Sequence, residues 1–341
     1  MIGQTEKITL QALWQRGCDF LGSRTAILGG AMSWLSDRNL VSAISNADGF
    51  GVIACGAMTP ELLKVEIIET KKKTKKPFGV NLITMHPELN SLIDVCIETG
   101  VSHVVLAGGL PSTQSIERLK LSQIKTICFA PALALAKRLI KSGADALIIE
   151  GAEAGGHIGP VSTGVLAQEI LPNISEVPVF IAGGIGRGEA IVSYLEMGAS
   201  GCQLGTRFVC SHESIAHPDF KRAFIRANAR DAVPTTQIDP KFPVIPVRAL
   251  VNQGTKRFSE AQRLAAGRVE RGEIELKKAQ LEIEHFWAGA LKRAVIDGDI
   301  DNGSLMAGQS VGMVKEEQST KEIIDELINE AEALLISRRG R

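Results

Sequence analysis

The chain predicts an α/β fold: a (β/α)8 barrel with a smaller, mainly helical domain inserted before the last barrel helix. Three observations carry that expectation. Short apolar runs recur eight times over roughly the first 200 residues, helix-like segments separate most of them, and the rhythm stops after Thr206. Continuous apolar strands alternating with helices require a parallel sheet covered on its faces. Eight such units suit a closed barrel, whose chemistry sits on the loops at the C-terminal ends of the strands.

In order, the runs are Thr25 to Gly30, Gly51 to Cys55, Phe78 to Leu82, His103 to Ala107, Lys125 to Phe129, Ala146 to Glu150, Val179 to Gly183 and Cys202 to Gly205. Each ends in Gly, Asn, Glu or a small residue, or just before one. Between them Pro60 to Lys72, Pro87 to Thr99, Pro131 to Ser142 and Gly188 to Met197 read as helices. A doubly wound sheet is the competing architecture, but no Gly-x-Gly-x-x-Gly follows the first strand, so the dinucleotide fingerprint is missing. Residues 1–208 therefore read as the barrel of a TIM-barrel protein. Residues 209–312 read as a helical cap, with a proline-bearing stretch from Val233 to Val247 and charged helical sequence from Ser259 to Val295. Residues 313–341 bring the chain back: Ile323, Ile324, Leu327, Ile328, Ala331 and Leu334 share one helical face, as a returning barrel helix needs.

Bulk properties exclude several classes. The 38 basic residues cancel the 38 acidic ones, so nothing points to a nucleic-acid partner or a charged membrane surface. The first residues lack a signal-peptide core, and no apolar run approaches the roughly 20 residues of a membrane span. Six cysteines lie scattered without a Cys-x-x-Cys pair, several in strand-like runs. Reduced, buried thiols in a soluble cytoplasmic protein are the expectation.

The chemistry concentrates after the sixth strand. Gly151-Ala152-Glu153-Ala154-Gly155-Gly156-His157-Ile158-Gly159 is a glycine-dense turn in which backbone can approach a ligand closely. His157 stands at its end, and imidazole trades protons near its ordinary pKa of about 6.5. In a barrel this loop shares one mouth with Gly29-Gly30-Ala31-Met32, Asn81, Glu150, Ala182-Gly183-Gly184-Ile185 and Gln203-Leu204-Gly205-Thr206. Strands seven and eight commonly hold a phosphate through glycine amides and a short helix. Asn81 offers both a donor and an acceptor to a heterocycle edge. A planar, phosphate-bearing cofactor fits this set better than a free sugar phosphate.

Gly29-Gly30-Ala31-Met32, Gly79-Val80-Asn81, Glu150 to His157, Ala182 to Ile185, Gln203 to Arg207 and Gly303-Ser304-Leu305-Met306-Ala307-Gly308-Gln309 occur in an order that resembles the nitronate monooxygenases. The same motifs resemble the flavin-dependent enoyl-ACP reductases of the same superfamily. The resemblance covers nearly the whole chain and implies an FMN-binding barrel with a cap over the flavin. It implies that Gly183, Gly184, Gly205 and Thr206 hold the FMN phosphate. Gly30, Ala31, Met32, Asn81, Glu150, Gly155, Gly156 and Gln203 would then line the ring and ribityl chain. Met306 and Gln309 would approach from the returning segment, and His157 would be the catalytic histidine.

In the monooxygenase reading, an alkyl nitronate is oxidised with O2 to a carbonyl compound and nitrite, His157 acting as acid/base. In the reductase alternative, NAD(P)H is the co-substrate, an enoyl thioester is reduced, and acyl carrier protein is the partner, with Arg248, Lys256 and Arg257 as a basic rim. Glu150 and the Gly-Gly-Ala-Met turn look closer to the reductases, since some monooxygenases carry Gln and Ala-Pro-Met there. A small molecule is the substrate either way, no metal is called for, and a homodimer is allowed.

Other conspicuous residues have plainer readings. His212 and His217 lack a matching ligand set for a metal and read as surface or capping residues. His86, before Pro87, reads as the start of a helix. Lys71 to Lys76 reads as a helix C-terminus facing solvent. Glu153 fixes the turn more naturally than it serves as a second acid. Trp34 either covers the flavin edge or packs the first helix. Cys55 and Cys202 read as packing residues.

Overall fold

The computed structural model describes residues 9–339. Its first half is the expected alternation: α1 (Leu10–Leu21), β1 (Ile27–Gly29), α2 (Arg38–Asn46), β2 (Phe50–Ala54), α3 (Pro60–Lys73), β3 (Gly79–Ile83), α4 (Leu89–Thr99), β4 (His103–Ala107), α5 (Thr113–Leu121), β5 (Lys125–Phe129), α6 (Leu133–Lys141) and β6 (Ala146–Glu150). There follow β7 (Gly156–His157), α7 (Thr163–Ile170), β8 (Val179–Ala182), α8 (Gly188–Glu196), β9 (Gly201–Leu204) and a single-turn α9 (Thr206–Val209). The remainder is α10 (Pro218–Arg226), β10 (Ala232–Pro234), β11 (Val247–Leu250), α11 (Gln253–Glu270), α12 (Leu276–Val295), β12 (Leu305–Met306) and α13 (Thr320–Arg339).

Strands β1 to β6, β8 and β9 close into a parallel barrel, with β9 returning to pair with β1. Its strands are buried along nearly their whole length, as a sheet wrapped by helices requires. The N-terminal end of the barrel is plugged. Phe20 from α1 and Phe50 from β2 set their rings edge-on against His103, at 5.2 and 4.8 Å between centroids. The His103 ring bridges the Ser102 hydroxyl, 2.8 Å away, and the Phe20 carbonyl at 3.0 Å. Burial in this apolar plug holds its pKa down to about 4, with Lys125 adding a smaller repulsion.

Helix α13 closes the ring of helices by packing on α8. Ile323, Ile324, Leu327 and Ala331 reach the core from it, joined by Leu335, while Ile328 and Leu334 are only partly buried. A side chain at Gly188 would put its Cβ 2.1 Å from the Leu327 carbonyl oxygen, so glycine is what lets these helices approach. Arg207, buried at the base of α9, donates to Met313 O at 3.0 Å and to Glu326 at 2.9 Å, fixing the returning segment to the barrel mouth.

The inserted segment is mainly helical, as expected, with α10, α11 and α12 making up most of it, and it carries a small sheet that was not expected. Helices α11 and α12 pack through Phe258 and Trp287, and the small antiparallel sheet joins the cap to the barrel. In it β11 pairs with β10, β12 and β7. Its strands are two to four residues long, too short to show a period-2 pattern, and one belongs to the glycine turn itself.

Candidate active site

The barrel's C-terminal mouth holds a cavity of about 360 Å³, within the usual size of a small-molecule site. Gly30, Ala31, Met32, Asn81, Glu150, Gly155, Gly156, His157, Gly183, Gly184, Gln203, Gly205, Thr206 and Met306 all line it. Residues scattered from 30 to 306 meet there because most of them end or follow a strand, while Asn81 and Gln203 enter from within β3 and β9.

The β8 and β9 ends form one wall. Gly183 and Gly184 both turn with positive φ, 96° and 72°, a conformation that favours glycine. Thr206 opens α9 with its hydroxyl accepting from Gly308 N–H at 3.0 Å. Asn81 is buried, and its amide N–H donates to the Val105 carbonyl at 3.1 Å. Glu150 faces the cavity and is half-buried. Desolvation of its carboxyl in the cavity pushes its pKa up to about 8 from an ordinary 4.5, so at neutral pH it is held mostly protonated.

The glycine turn is pinned from both sides. Glu153 accepts from the backbone N–H and the hydroxyl of Thr163, each at 2.9 Å, at the start of α7. A carboxylate is favoured there by the unpaired amides of the first turn. Glu153 thus fixes the turn, as expected. Gly155 lies against the returning segment, where a Cβ would sit 2.5 Å from Gly308 N. His157 is drawn out of the turn as an edge strand by pairing with Val247, and the next residue, Ile158, donates its N–H to Pro246 O at 3.0 Å. Its exposed side chain stands at the cavity rim.

Several expectations need correction. Gln309 is not a lining residue: its N–H donates to Glu153 O at 2.9 Å, and its neighbours Gly308 and Ser310 face the cavity. Arg248 is not part of an exposed rim, being 6% accessible and bonded to carbonyl oxygens. Trp34 does not line the cavity; it packs with the cap cluster beneath Lys292, whose Nζ lies 5.2 Å from its ring centre. The plainer readings of the remaining residues hold: His86 accepts from Glu88 N–H ahead of α4, and His217 caps α10 through Asp219 N–H. Lys71 donates to the Thr99 and Gly100 carbonyls at the C-terminal end of α4, and Lys72 pairs with Glu69. Cys55 and Cys202 are fully buried, which raises both thiols, Cys55 to about 12.

Ile83, Ala107, Gly108 and Phe129 add an apolar wall that the sequence reading did not assign, and Leu291 of α12 joins from the cap. Strand alternation could have found part of it, since Ile83 lies two residues from Asn81 on the same face.

A parallel barrel with a glycine-lined cavity at its C-terminal mouth and a histidine over it is the build of a small-molecule barrel enzyme. The family model described as nitronate monooxygenase matches residues 16–330. The chain belongs to the nitronate monooxygenase family and is an oxidoreductase. FabK of Thermotoga maritima superposes with a TM-score of 0.85 at 37% identity, covering 95% of this chain and 98% of that one. The (3aS,4S,5R,7aS)-5-hydroxy-7a-methyl-1-oxo-octahydro-1H-indene-4-carboxyl-CoA dehydrogenase of Mycobacterium tuberculosis is 29% identical, over 92% of this chain and 94% of the relative. A probable nitronate monooxygenase of Staphylococcus saprophyticus is 29% identical over 70% of this chain and 79% of its own length.

Proposed function

We propose that the protein is an FMN-dependent oxidoreductase that oxidises alkyl nitronates with O2 to a carbonyl compound and nitrite, with His157 as the acid/base group. The observation that carries this reading is the placement of His157 as a cap-held edge strand at the rim of the cavity.

The cavity fits FMN. Its β8 and β9 wall is built from Ala182, Gly183, Gly184, Ile185, Gly205 and Thr206, with Gly308 and Ser310 also lining the cavity; no carboxylate lines that wall, and that of Glu153, beside Gly184, is taken up by Thr163. Glu150 is the acid among the described lining residues, and it is largely neutral at pH 7. Gly183, Gly184, Gly205 and Thr206 would hold the phosphate, with the first-turn amides of α9 as donors. Gly30, Ala31, Met32, Asn81, Glu150, Gln203, Gly155 and Gly156 would contact the ring and its side chain. FMN, when bound, supplies the redox chemistry.

The protein's own residues position and protonate. A nitronate carries its charge on two oxygens, and imidazole N–H at the rim can hold one of them. Protonated Glu150 donates one hydrogen bond without adding negative charge. Met306 and Leu291 line the site from the cap side.

A second reading, an NAD(P)H-dependent enoyl-thioester reductase, is favoured by the 37% identity to FabK over nearly the whole chain and by a relative whose name specifies a CoA thioester. Its substrate also carries a conjugated carbonyl oxygen that His157 can hold. Anaerobic mixing of the purified protein with NADH, NADPH or an alkyl nitronate separates them by loss of flavin absorbance. Bleaching by nitronate and indifference to nicotinamides is the expected result. Reduction by a nicotinamide, reversed on adding an enoyl thioester, establishes the second reading instead, and a protein that takes up no FMN overturns both.

A further inference from the structure

The proposal concerns a positioning residue for the site just described and rests on the reading of His157 as its reacting group. Strand β11 is the junction of the small sheet: Arg248 lies opposite Pro234 on one side and Gly156 on the other, and Ala249 lies opposite Met306. The Arg248 side chain turns away from solvent. Its Nε donates to the Ala152 carbonyl at 2.8 Å and its Nη1 to the Ala232 carbonyl at 2.6 Å. Its own carbonyl accepts from Ala307 N–H at 3.3 Å, in the returning segment. One residue therefore ties together the glycine turn, the edge strand of the cap and the segment that covers the cavity.

Ala152 and Glu153 are consecutive, and they are held from opposite sides. Ala152 is bonded by Arg248 of the cap sheet, while the Glu153 carboxylate is bonded by Thr163 of the barrel. His157 follows four residues later, and Gly156 beside it pairs directly with Arg248. A charged group is costly to bury, and a hydrophobic residue would fill the same space without that cost. What a guanidinium adds is a rigid planar fork that meets two carbonyls in fixed directions, which lysine cannot reproduce.

We propose that Arg248 is a positioning residue: its fork sets the register of the 151–157 turn against the cap sheet, so that His157 is placed over the cavity only when the cap is seated.

The test compares Arg248→Met, Arg248→Lys and Lys221→Met in the full-length protein as purified. Lys221 is a buried cation of comparable exposure whose partners, Ser211 O at 2.7 Å and Glu317 at 3.1 Å, lie outside the cavity. Amide hydrogen exchange is read across residues 151–158, together with turnover, KM and flavin content. In Arg248→Met, exchange at 151–158 is expected to quicken at least tenfold with β3 to β5 unchanged. Turnover is expected to fall at least tenfold, with flavin retained and KM within threefold. Arg248→Lys, which can reach one carbonyl, should recover part of both effects. Lys221→Met should lower the melting temperature and change neither readout.

Unchanged exchange at 151–158, or a turnover loss matched by Lys221→Met, overturns the proposal. If Arg248→Met does not fold, Arg248→Lys decides by the same readouts. The exchange measurement needs no substrate, so it stands or falls separately from the nitronate and thioester readings.

Discussion

Replacing Glu150 by glutamine should remove a pH dependence of stability that the fold imposes on that carboxyl. Burial raises it from 4.5 to about 8, which means the cavity favours the neutral acid. Below pH 4.5 the group is protonated in both the folded and unfolded chain, and its contribution is fully present. Between 4.5 and 8 the unfolded chain releases the proton while the folded chain keeps it, so stability falls as pH rises. Above 8 both forms are ionised and the loss is complete. At about 1.4 kcal/mol per factor of ten, the change from 4.5 to about 8 amounts to about 5 kcal/mol at most. Glutamine keeps the shape and the donor and does not titrate. Urea unfolding of the flavin-free protein at pH 5, 6.5, 8 and 9 should show the parent weakening by several kcal/mol more than Glu150→Gln across that range. Parallel pH profiles for the two proteins would refute the reasoning, because the carboxyl would then ionise in the fold as readily as in the unfolded chain.

Three further outcomes are expected. His157→Ala should lower turnover by roughly 10²- to 10⁴-fold while flavin absorbance is retained, read by steady-state kinetics on protein of matched flavin content. His103, held down to about 4 by burial, stays neutral in the fold while the unfolded chain takes up its proton, so stability is lost as pH falls from 6.5 through 4, by about 3 kcal/mol in denaturant titrations. Gly155→Ala forces a Cβ against Gly308 N, so the returning segment should be displaced and FMN retention on gel filtration weakened, with the far-ultraviolet spectrum preserved.

Strand order was legible because the barrel strands are buried on both faces and read as uninterrupted apolar runs. His103–Ala107, Lys125–Phe129 and Ala146–Glu150 coincide with their expected spans. The mouth residues were legible for a related reason: most of them end a strand or follow one, and Asn81 and Gln203 lie near the C-terminal ends of β3 and β9. The small sheet was not legible. Its register depends on pairing between residues nearly a hundred positions apart, Val247 with His157, and a two-residue strand leaves no periodicity to read. Arg248 misled for the opposite reason. An arginine is ordinarily exposed, and only the carbonyls of Ala152 and Ala232, brought together by the fold, make its burial tolerable.

The same physics bears on which branch of the superfamily the chain resembles. Glu150 set it nearer the reductases, because some monooxygenases carry glutamine at that place. That contrast assumes a charged carboxylate. In this cavity the carboxyl is mostly neutral at pH 7, with one donating and one accepting oxygen, which is the hydrogen-bonding pattern of a glutamine amide apart from the second N–H. At neutral pH the two residue types therefore present similar faces to a planar ring, and the substitution loses its power to discriminate. On the proposed flavin reading, discrimination would come from the apolar wall of Ile83, Ala107 and Phe129, which shares the cavity with His157 and the cap residues Leu291 and Met306. A compact nitronate needs little of that wall, whereas an enoyl thioester needs a path for its carrier past the cap. On the proposed reading, substrate choice then turns on the room that Leu291 of α12 and Met306 of β12 leave at the mouth.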